Sequence, residues 1–164
     1  MTFFIIKHNK NLLSTLLLFV FLSVCPALSM PVSAESMVIV NQGVGDTTLT
    51  KADIEKIFTG KKSKWSDGEK IIPVTLDNEN DVHVEFLKKY VSKNAFQFAA
   101  YWRKMMFTGK GNPPKSFDSE QALIDYVAET SGAIGYVSTT AIKVNRSASL
   151  NDPAHGRGMK RTAI

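Results

Sequence analysis

The fold of this chain is decided by the stretch IIPVTLDNENDVHVEFLKKYV, which spans residues 71–91. Its first six residues, Ile71 to Leu76, form an apolar run of strand length, and Pro73 places that strand near a sheet edge or at a strand bend. Helical periodicity follows from about Asp81 to Val91, where Asn80 supplies a short polar side chain that can cap the first turn. The stretch therefore predicts a mostly buried strand, a short loop and an amphipathic helix.

The same alternation of apolar runs and amphipathic segments continues on both sides of this stretch. Thr50 and Asp53 can form a capping box at the start of one helix, and Gly60 follows as its C-terminal stop. Strands separated by helical crossovers indicate parallel pairing in at least part of the sheet. The pattern predicts an α/β fold, a mainly parallel sheet flanked by helices. The other predicted elements are strands Met37–Asn41 and Ala133–Val137, and helices Lys51–Thr59, Ala95–Phe107 (capped by Asn94) and Glu120–Glu129 (capped by Asp118 or Ser119).

Large apolar side chains recur at helical spacing and are predicted to form the core. His83 falls on the same helical face as Phe86, so we expect a boundary core residue rather than a catalytic base. Trp65 lies in a polar, basic turn, where it can pack against the sheet or form an exposed recognition surface. The three predicted core stripes are Ile54, Ile57 and Phe58; Phe98, Trp102 and Met105; and Leu123, Tyr126 and Val127.

The N-terminus has the composition of a secretory signal. Two lysines precede an uncharged run over residues 11–28, and the small residues of Val32-Ser33-Ala34 suit cleavage by signal peptidase before Glu35. The apolar core of this run is shorter than the roughly 20 residues that span a bilayer, which disfavours a retained membrane anchor. A lipoprotein attached through Cys25 is disfavoured by the bulky valine that precedes it.

Three segments follow from this interpretation: a signal peptide at 1–34, a domain at 35–140, and a C-terminal tail at 141–164 that we expect to be mobile. Cleavage leaves 130 residues, enough for one hydrophobic core. The sole cysteine lies in the signal, so the exported domain is expected to have no disulfide and no cysteine-ligated metal. Its formal net charge falls from +5 to +3, which is compatible with an anionic ligand.

Three groups of motifs occur in the order and spacing of one family. They are Ile57-Phe58-Thr59-Gly60 with Lys64-Trp65-Ser66-Asp67-Gly68 and Ile72-Pro73-Val74; Tyr101-Trp102 with Phe107-Thr108-Gly109-Lys110-Gly111 and Pro113-Pro114; and Gly132-Ala133-Ile134-Gly135-Tyr136-Val137. Together they cover roughly residues 37–138 and resemble the substrate-binding proteins of phosphate ABC transporters. The resemblance implies a type 2 periplasmic-binding-protein lobe and favours packing for Trp65. Full-length members close two lobes around the ligand, and this chain has room for one.

The chain departs from that family at the loop after the second strand. The family's RSDGSGT is replaced by Leu76-Asp77-Asn78-Glu79-Asn80-Asp81-Val82, which lacks its arginine, serines and glycines. At about 5 Å and an effective dielectric near 20, each carboxylate would repel a bound monoanion by on the order of 3 kcal/mol. We therefore expect weak binding of dianionic phosphate here unless the acids turn away. A solvated turn explains these acids better than a calcium loop, because Val82 and Lys88 occupy the glycine and glutamate positions of an EF-hand.

Candidate ligand contacts are short polar or flexible residues at the ends of the predicted strands. Ordinary turn chemistry explains each of them at least as well. The candidates are Thr75, Asp77, Asn78 and Asn80 on the loop; Gly43, Gly45, Thr47 and Thr48 on the first turn; and Ser138, Thr139 and Thr140 after the last strand.

An enzyme finds little support in the sequence. The chain has no HExxH, CxxC, GxSxG or Walker A motif. His83 with Asp77 or Asp81 supplies too few ligands for a zinc site. We expect no catalysis, cofactor, metal or nucleic-acid partner.

Two functions remain open. The first is a periplasmic or secreted solute-binding-like domain for phosphate or another small oxyanion, which could work with an ABC transporter membrane component. The second is an envelope interaction or sensory module that has lost solute binding and acts on another envelope protein. Neither requires stable membrane insertion after cleavage.

Overall fold

The computed structural model describes residues 35–46, 48–144 and 159–161. These residues belong to one compact unit, Ser33–Ile164. The predicted signal segment at 1–34 lies outside the described residues. A π-helical turn, Leu87–Val91, continues the helix Asp81–Phe86, and residues 139–144 are also helical. The elements follow the order β1 (Ser36–Asn41), α1 (Lys51–Phe58), β2 (Ile72–Leu76), α2 (Asp81–Phe86), α3 (Ala95–Phe107), β3 (Lys115–Phe117), α4 (Glu120–Glu129), β4 (Ala133–Ser138) and β5 (Met159–Arg161).

The strands form one sheet in the order β3-β2-β4-β1-β5. β2 is parallel to both β3 and β4, as the crossover helices predicted. β1 is antiparallel to β4, with Ser36 opposite Ser138, and β5 is antiparallel to β1. The predicted α/β fold with helices flanking the sheet is confirmed, and its parallel part is centred on β2.

Two strands were not predicted from the sequence. β3 and β5 are each three residues long and lie at the sheet edges, too short to show an alternating pattern. β5 falls within the segment 141–164 that we expected to be mobile. Its residues 159–161 instead pair with β1, because an edge strand offers unpaired N–H and C=O groups. For residues 145–158 and 162–164, the expectation lies outside the described residues.

Pro73 lies where β2 has a single neighbouring strand. It stands opposite Ile134 of β4, whereas pairing with β3 begins at Val74, opposite Lys115. The missing N–H of proline therefore interrupts no hydrogen bond to β3. This local edge position is the one predicted from the sequence.

Helices cover both faces of the sheet. On one face α4 approaches β4 closely, since a Cβ added at Gly135 would lie 2.6 Å from Cδ2 of Leu123. On the other face the ring of Tyr136 stacks on Phe86 of α2 with centroids 3.7 Å apart, and Phe58 of α1 packs against both. The predicted core stripes are confirmed, with Met105 and Tyr126 only half-buried.

Helix ends follow the predicted caps, and one predicted helix is divided. Capping boxes are present at Thr50–Asp53 and Asn94–Gln97. Ser119 caps α4 by accepting a hydrogen bond from the N–H of Ala122 at 3.2 Å, so Asp118 is not the cap. The helix predicted from Asp81 to Val91 is divided into α2 and the π-helical turn, a distortion that occurs often at functional sites.

Trp65 is buried, which confirms packing rather than an exposed recognition surface. Its indole Nε1 donates to the carbonyl of Gly132 at 3.0 Å.

Within the described ranges, no helix has the length and apolar composition needed to cross a bilayer.

Candidate functional site

A cavity lies at the carboxyl end of β2, between that strand and α3. Its volume is about 280 Å³, close to the lower end of the roughly 300–1,000 Å³ that ligand pockets occupy. Ligands of open α/β sheets bind outside the carboxyl ends of the strands, which is where this cavity lies. The residues that line it are Thr75, Asn78, Phe98, Ala99, Trp102, Arg103, Met106, Pro113 and Pro114.

The polar side chains of this cavity suit an anion. Thr75, Asn78, Trp102 and Arg103 can each donate a hydrogen bond, and no carboxylate is among the lining residues. Arg103 carries a guanidinium that stays protonated in proteins and can hold an oxyanion through two parallel N–H groups. Thr75 is buried, whereas Asn78 and Arg103 are exposed at the mouth. The arrangement offers hydrogen bonds and positive charge without a nucleophile or a general base.

Trp102, which lines this cavity, has a buried hydrogen-bond donor without a partner in the described residues. Its six-membered ring packs beside two glycines, since a Cβ added at Gly60 would lie 2.9 Å from Cη2 and one added at Gly111 would lie 3.5 Å from Cζ3. The residue is 6% exposed, and Nε1 has no hydrogen-bond partner in the described part of the chain. A buried donor without a partner costs about 1–3 kcal/mol, which an acceptor that reaches Nε1 would offset.

The acidic side chains of the loop after β2 do not line the cavity. Asp77 accepts a hydrogen bond from the hydroxyl of Ser116 on β3. Asn80 is used as the cap of α2, where its Oδ1 accepts from the N–H of Val82 at 2.9 Å. Glu79 and Asp81 are exposed, as expected for a solvated turn. Of the four predicted loop contacts, Thr75 and Asn78 reach the cavity.

The predicted contacts on the first turn lie at the opposite end of the strands from the cavity. Because β1 is antiparallel to β4, its carboxyl end meets the amino end of β4. Gly43 accordingly lies near Ser131, which precedes β4. Gly45 and Thr48 follow on the same exposed turn, and Thr47 lies outside the described residues. The structure does not bring this turn together with Thr75.

The residues after β4 have other partners. Ser138 is buried, its hydroxyl donates to Glu120 at 3.1 Å, and the same oxygen accepts from the N–H of Ala141 at 3.0 Å. Thr140 is exposed. Thr139 lines a second cavity of about 560 Å³ together with Lys51, Lys89 and Glu35. Within it Glu35 already pairs with Lys89 at 3.6 Å, which makes this cavity a poorer anion site.

A buried histidine–tyrosine pair lies next to Leu76 at the carboxyl end of β2. Nδ1 of His83 contacts the hydroxyl of Tyr136, and that oxygen also accepts from the N–H of Leu76 at 3.1 Å. If the hydroxyl donates to Nδ1, the proton of the neutral imidazole lies on Nε2, which has no hydrogen-bond partner in the described residues. Burial lowers the pKa of His83 to about 4, against a smaller opposing effect of Asp77, and burial raises the pKa of Tyr136 above its ordinary value. Both side chains are neutral near pH 7, and His83 is a core residue as predicted.

No metal centre is evident in the residues that the structure describes. None of their histidine, aspartate and glutamate side chains form a group of three or more that could hold an ion.

Comparison with known proteins decides the family. A family model described as the PBP superfamily domain matches residues 24–162. The chain belongs to the PBP superfamily. This match confirms the resemblance that the motifs around Gly60, Trp65, Gly109 and Gly135 indicated. No curated protein matches the chain.

Solved structures with this PBP fold include two longer proteins. PstS from Borrelia burgdorferi matches with a TM-score of 0.57 and 15% identity over 79% of this chain and 46% of that one. A protein described as a phosphate ABC transporter substrate-binding protein, with bound phosphate, from Clostridium perfringens matches with a TM-score of 0.53 and 16% identity over 79% of this chain and 55% of that one. The chain thus spans about half the length of these proteins.

The sequence did not predict two of the four hydrogen-bond donors among the residues that line this cavity, Trp102 and Arg103. It placed Trp102 in a core stripe, which is correct, but whether the indole N–H finds a partner is decided by tertiary packing. Arg103 follows this tryptophan directly and was not singled out. Arg103 could have been identified as a basic residue directly beside a buried helical stripe.

Proposed function

We propose that this domain binds a small oxyanion, phosphate or a similar ion, in the cavity beside Trp102 without catalysing a reaction. The observation that carries the proposal is a cavity at the carboxyl end of β2 that presents a guanidinium, a hydroxyl and an amide but no carboxylate, and whose lining residue Trp102 has a buried indole N–H without a partner in the described residues. A hydrogen bond to a charged group contributes about 1.5–3 kcal/mol. Two or three such bonds are enough for reversible solute capture.

The ligand class is supported by the family as well as by the cavity. One relative of the same fold is described with bound phosphate, although low identity limits that comparison to the fold. The loop at Asp77 to Asn80 has lost the family's arginine and glycines, but Arg103 can supply the missing charge from α3. The small volume excludes large solutes.

The same proposal includes export. The N-terminal run and the cleavage pattern before Glu35 support a periplasmic or secreted domain at 35–140 with a signal peptide at 1–34 and a tail at 141–164. An ABC transporter membrane component or another envelope protein is the partner that fits this location. N-terminal sequencing of the protein recovered from the envelope tests the cleavage site.

Thermal unfolding with and without phosphate or sulfate tests anion binding. At a thousandfold excess of ligand over its dissociation constant, the folded state gains about 4 kcal/mol, which raises the melting temperature clearly. Arg103→Gln is expected to weaken binding about tenfold to a hundredfold, because it removes a charge-assisted hydrogen bond. Trp102→Phe should also weaken binding while costing little stability without anion, because it removes the buried donor.

Lys104→Gln is the matched control for Arg103→Gln. Lys104 is an exposed cation next to Arg103 on α3 that does not line the cavity. Its replacement changes the net charge equally and should leave the anion-dependent shift intact. Equal losses in both variants would assign the effect to net charge and contradict this site.

A second candidate function is an envelope interaction or sensory module that has lost solute binding. The loop replacement at Asp77 to Asn80 favours it, since the family's phosphate donors are absent there. An unchanged melting temperature with phosphate, sulfate and related anions would reject the oxyanion proposal in favour of this one.

A further inference from the structure

Helix α3 exposes two phenylalanines on the face opposite the core. Phe96 is 77% exposed and Phe107 is 82% exposed. At about 100° per residue these two side chains project within roughly 20° of each other, while buried Phe98 and Trp102 project from the other side. A surface helix ordinarily carries polar residues at such positions. The two rings are therefore not extensions of the core.

The same part of the chain has a one-sided charge. Residues 86–117 contain seven basic residues and no aspartate or glutamate. Three of the basic side chains, Arg103, Lys104 and Lys110, belong to the C-terminal half of α3 and the turn after it, close in sequence to Phe107. They are exposed and form no ion pair within the described residues. The face combines large apolar side chains with uncompensated positive charge.

We propose that this face of α3 docks on an anionic phospholipid surface, with Phe96 and Phe107 inserted among the headgroups and Lys104 and Lys110 contacting phosphates. The two rings lie about 16 Å apart along the axis, given a rise of 1.5 Å per residue. A helix lying parallel to the bilayer would insert both at equal depth, as interfacial amphipathic helices do. This contact is peripheral and needs no membrane-spanning segment. It goes beyond the proposed anion binding and does not depend on it.

Charge favours a lipid surface over a second copy of the chain. A twofold dimer through α3 would set the same face against itself and bring Arg103 and Lys104 of both copies together. Like charges in such a contact repel each other. Anionic headgroups supply the opposite charge, and each basic side chain near such a surface strengthens binding roughly fivefold.

Vesicle flotation of the chain from Glu35 to Ile164 tests the proposal, because residues 33–164 form one compact unit. We expect binding to mixed phosphatidylglycerol–phosphatidylcholine vesicles at low salt, weaker binding at high salt, and little binding to pure phosphatidylcholine. Phe96→Ser with Phe107→Ser should reduce the partition coefficient at least tenfold, since the buried apolar area is lost. Lys104→Gln with Lys110→Gln should reduce it roughly 25-fold.

Lys61→Gln with Lys64→Gln is the matched control, because it removes the same charge from an exposed turn outside α3. It should change vesicle binding little. Equal loss in this control, equal binding to both kinds of vesicle, or no binding to either would overturn the proposal. A dimer in sedimentation that the double serine variant abolishes would assign the face to a second copy instead. The serine variant should keep any anion-dependent melting shift, so the two proposals can fail separately.

Discussion

Gly132→Ala is expected to lower the free energy of unfolding by about 3–4 kcal/mol. Gly132 has φ +71°, and a Cβ there would lie far inside van der Waals contact with the carbonyl oxygen of Lys70. The left-handed conformation costs roughly 1–2 kcal/mol for an L-residue, and overpacking adds roughly 1–3 kcal/mol. The carbonyl of Gly132 also accepts from the N–H of Ile72 at 3.0 Å and from Trp65 at 3.0 Å, so a backbone shift would weaken both bonds.

Gly109→Ala separates the two causes. Gly109 has φ +66°, nearly the same conformation, but nothing lies within 4 Å of a Cβ added there. It should cost only the conformational strain, about 1 kcal/mol. Urea unfolding of both variants measures the difference. Equal effects would mean that the contact between the turn at Gly132 and the backbone at Lys70 is not as tight as described.

Acid should destabilise the protein through His83, by up to about 3 kcal/mol between pH 6.5 and pH 4. Burial depresses the pKa of this imidazole from 6.5 to about 4. Between these values the unfolded chain binds a proton that the folded chain does not, so stability falls as the pH drops. Above pH 6.5 the imidazole is neutral in both states and contributes no slope. Asp77, the acid that acts on His83, moderates the effect.

The measurement is the free energy of unfolding against pH for the wild type and for His83→Gln, which removes the titrating group. The wild type should lose more stability on acidification than the variant, whatever the variant costs at pH 7. An NMR titration of the imidazole gives the pKa directly. A folded-state pKa near 6.5 would contradict the buried, neutral histidine.

Local patterns predicted most of the secondary structure. The capping boxes at Thr50 and Asn94, the stripe of Ile54, Ile57 and Phe58, and the edge position of Pro73 all depend on residues within a few positions of one another. β3 and β5 could not be predicted in the same way, because a three-residue strand is defined by its partner and not by its own periodicity.

The candidate site was only partly predictable. Thr75 and Asn78 were found because they follow an apolar run that was recognisable as a strand. The first turn was grouped with them because it also follows a predicted strand. The antiparallel pairing of β1 with β4 places Gly43 and Gly45 beside the amino ends of β4 and β2, whereas Thr75 lies at the carboxyl end of β2. Strand direction depends on contacts almost a hundred residues apart, which no local pattern contains.

The sequence by itself determined most of the elements, their caps, the core stripes and the family, because each depends on short-range spacing or on ordered motifs. The tertiary structure alone decided the direction of β1 and the meeting of Thr75, Trp102 and Pro113 around one cavity. It also decided that the indole N–H of Trp102 is left without a partner. Burial and hydrogen-bond satisfaction are properties of the packed chain, since they depend on which distant residues come into contact.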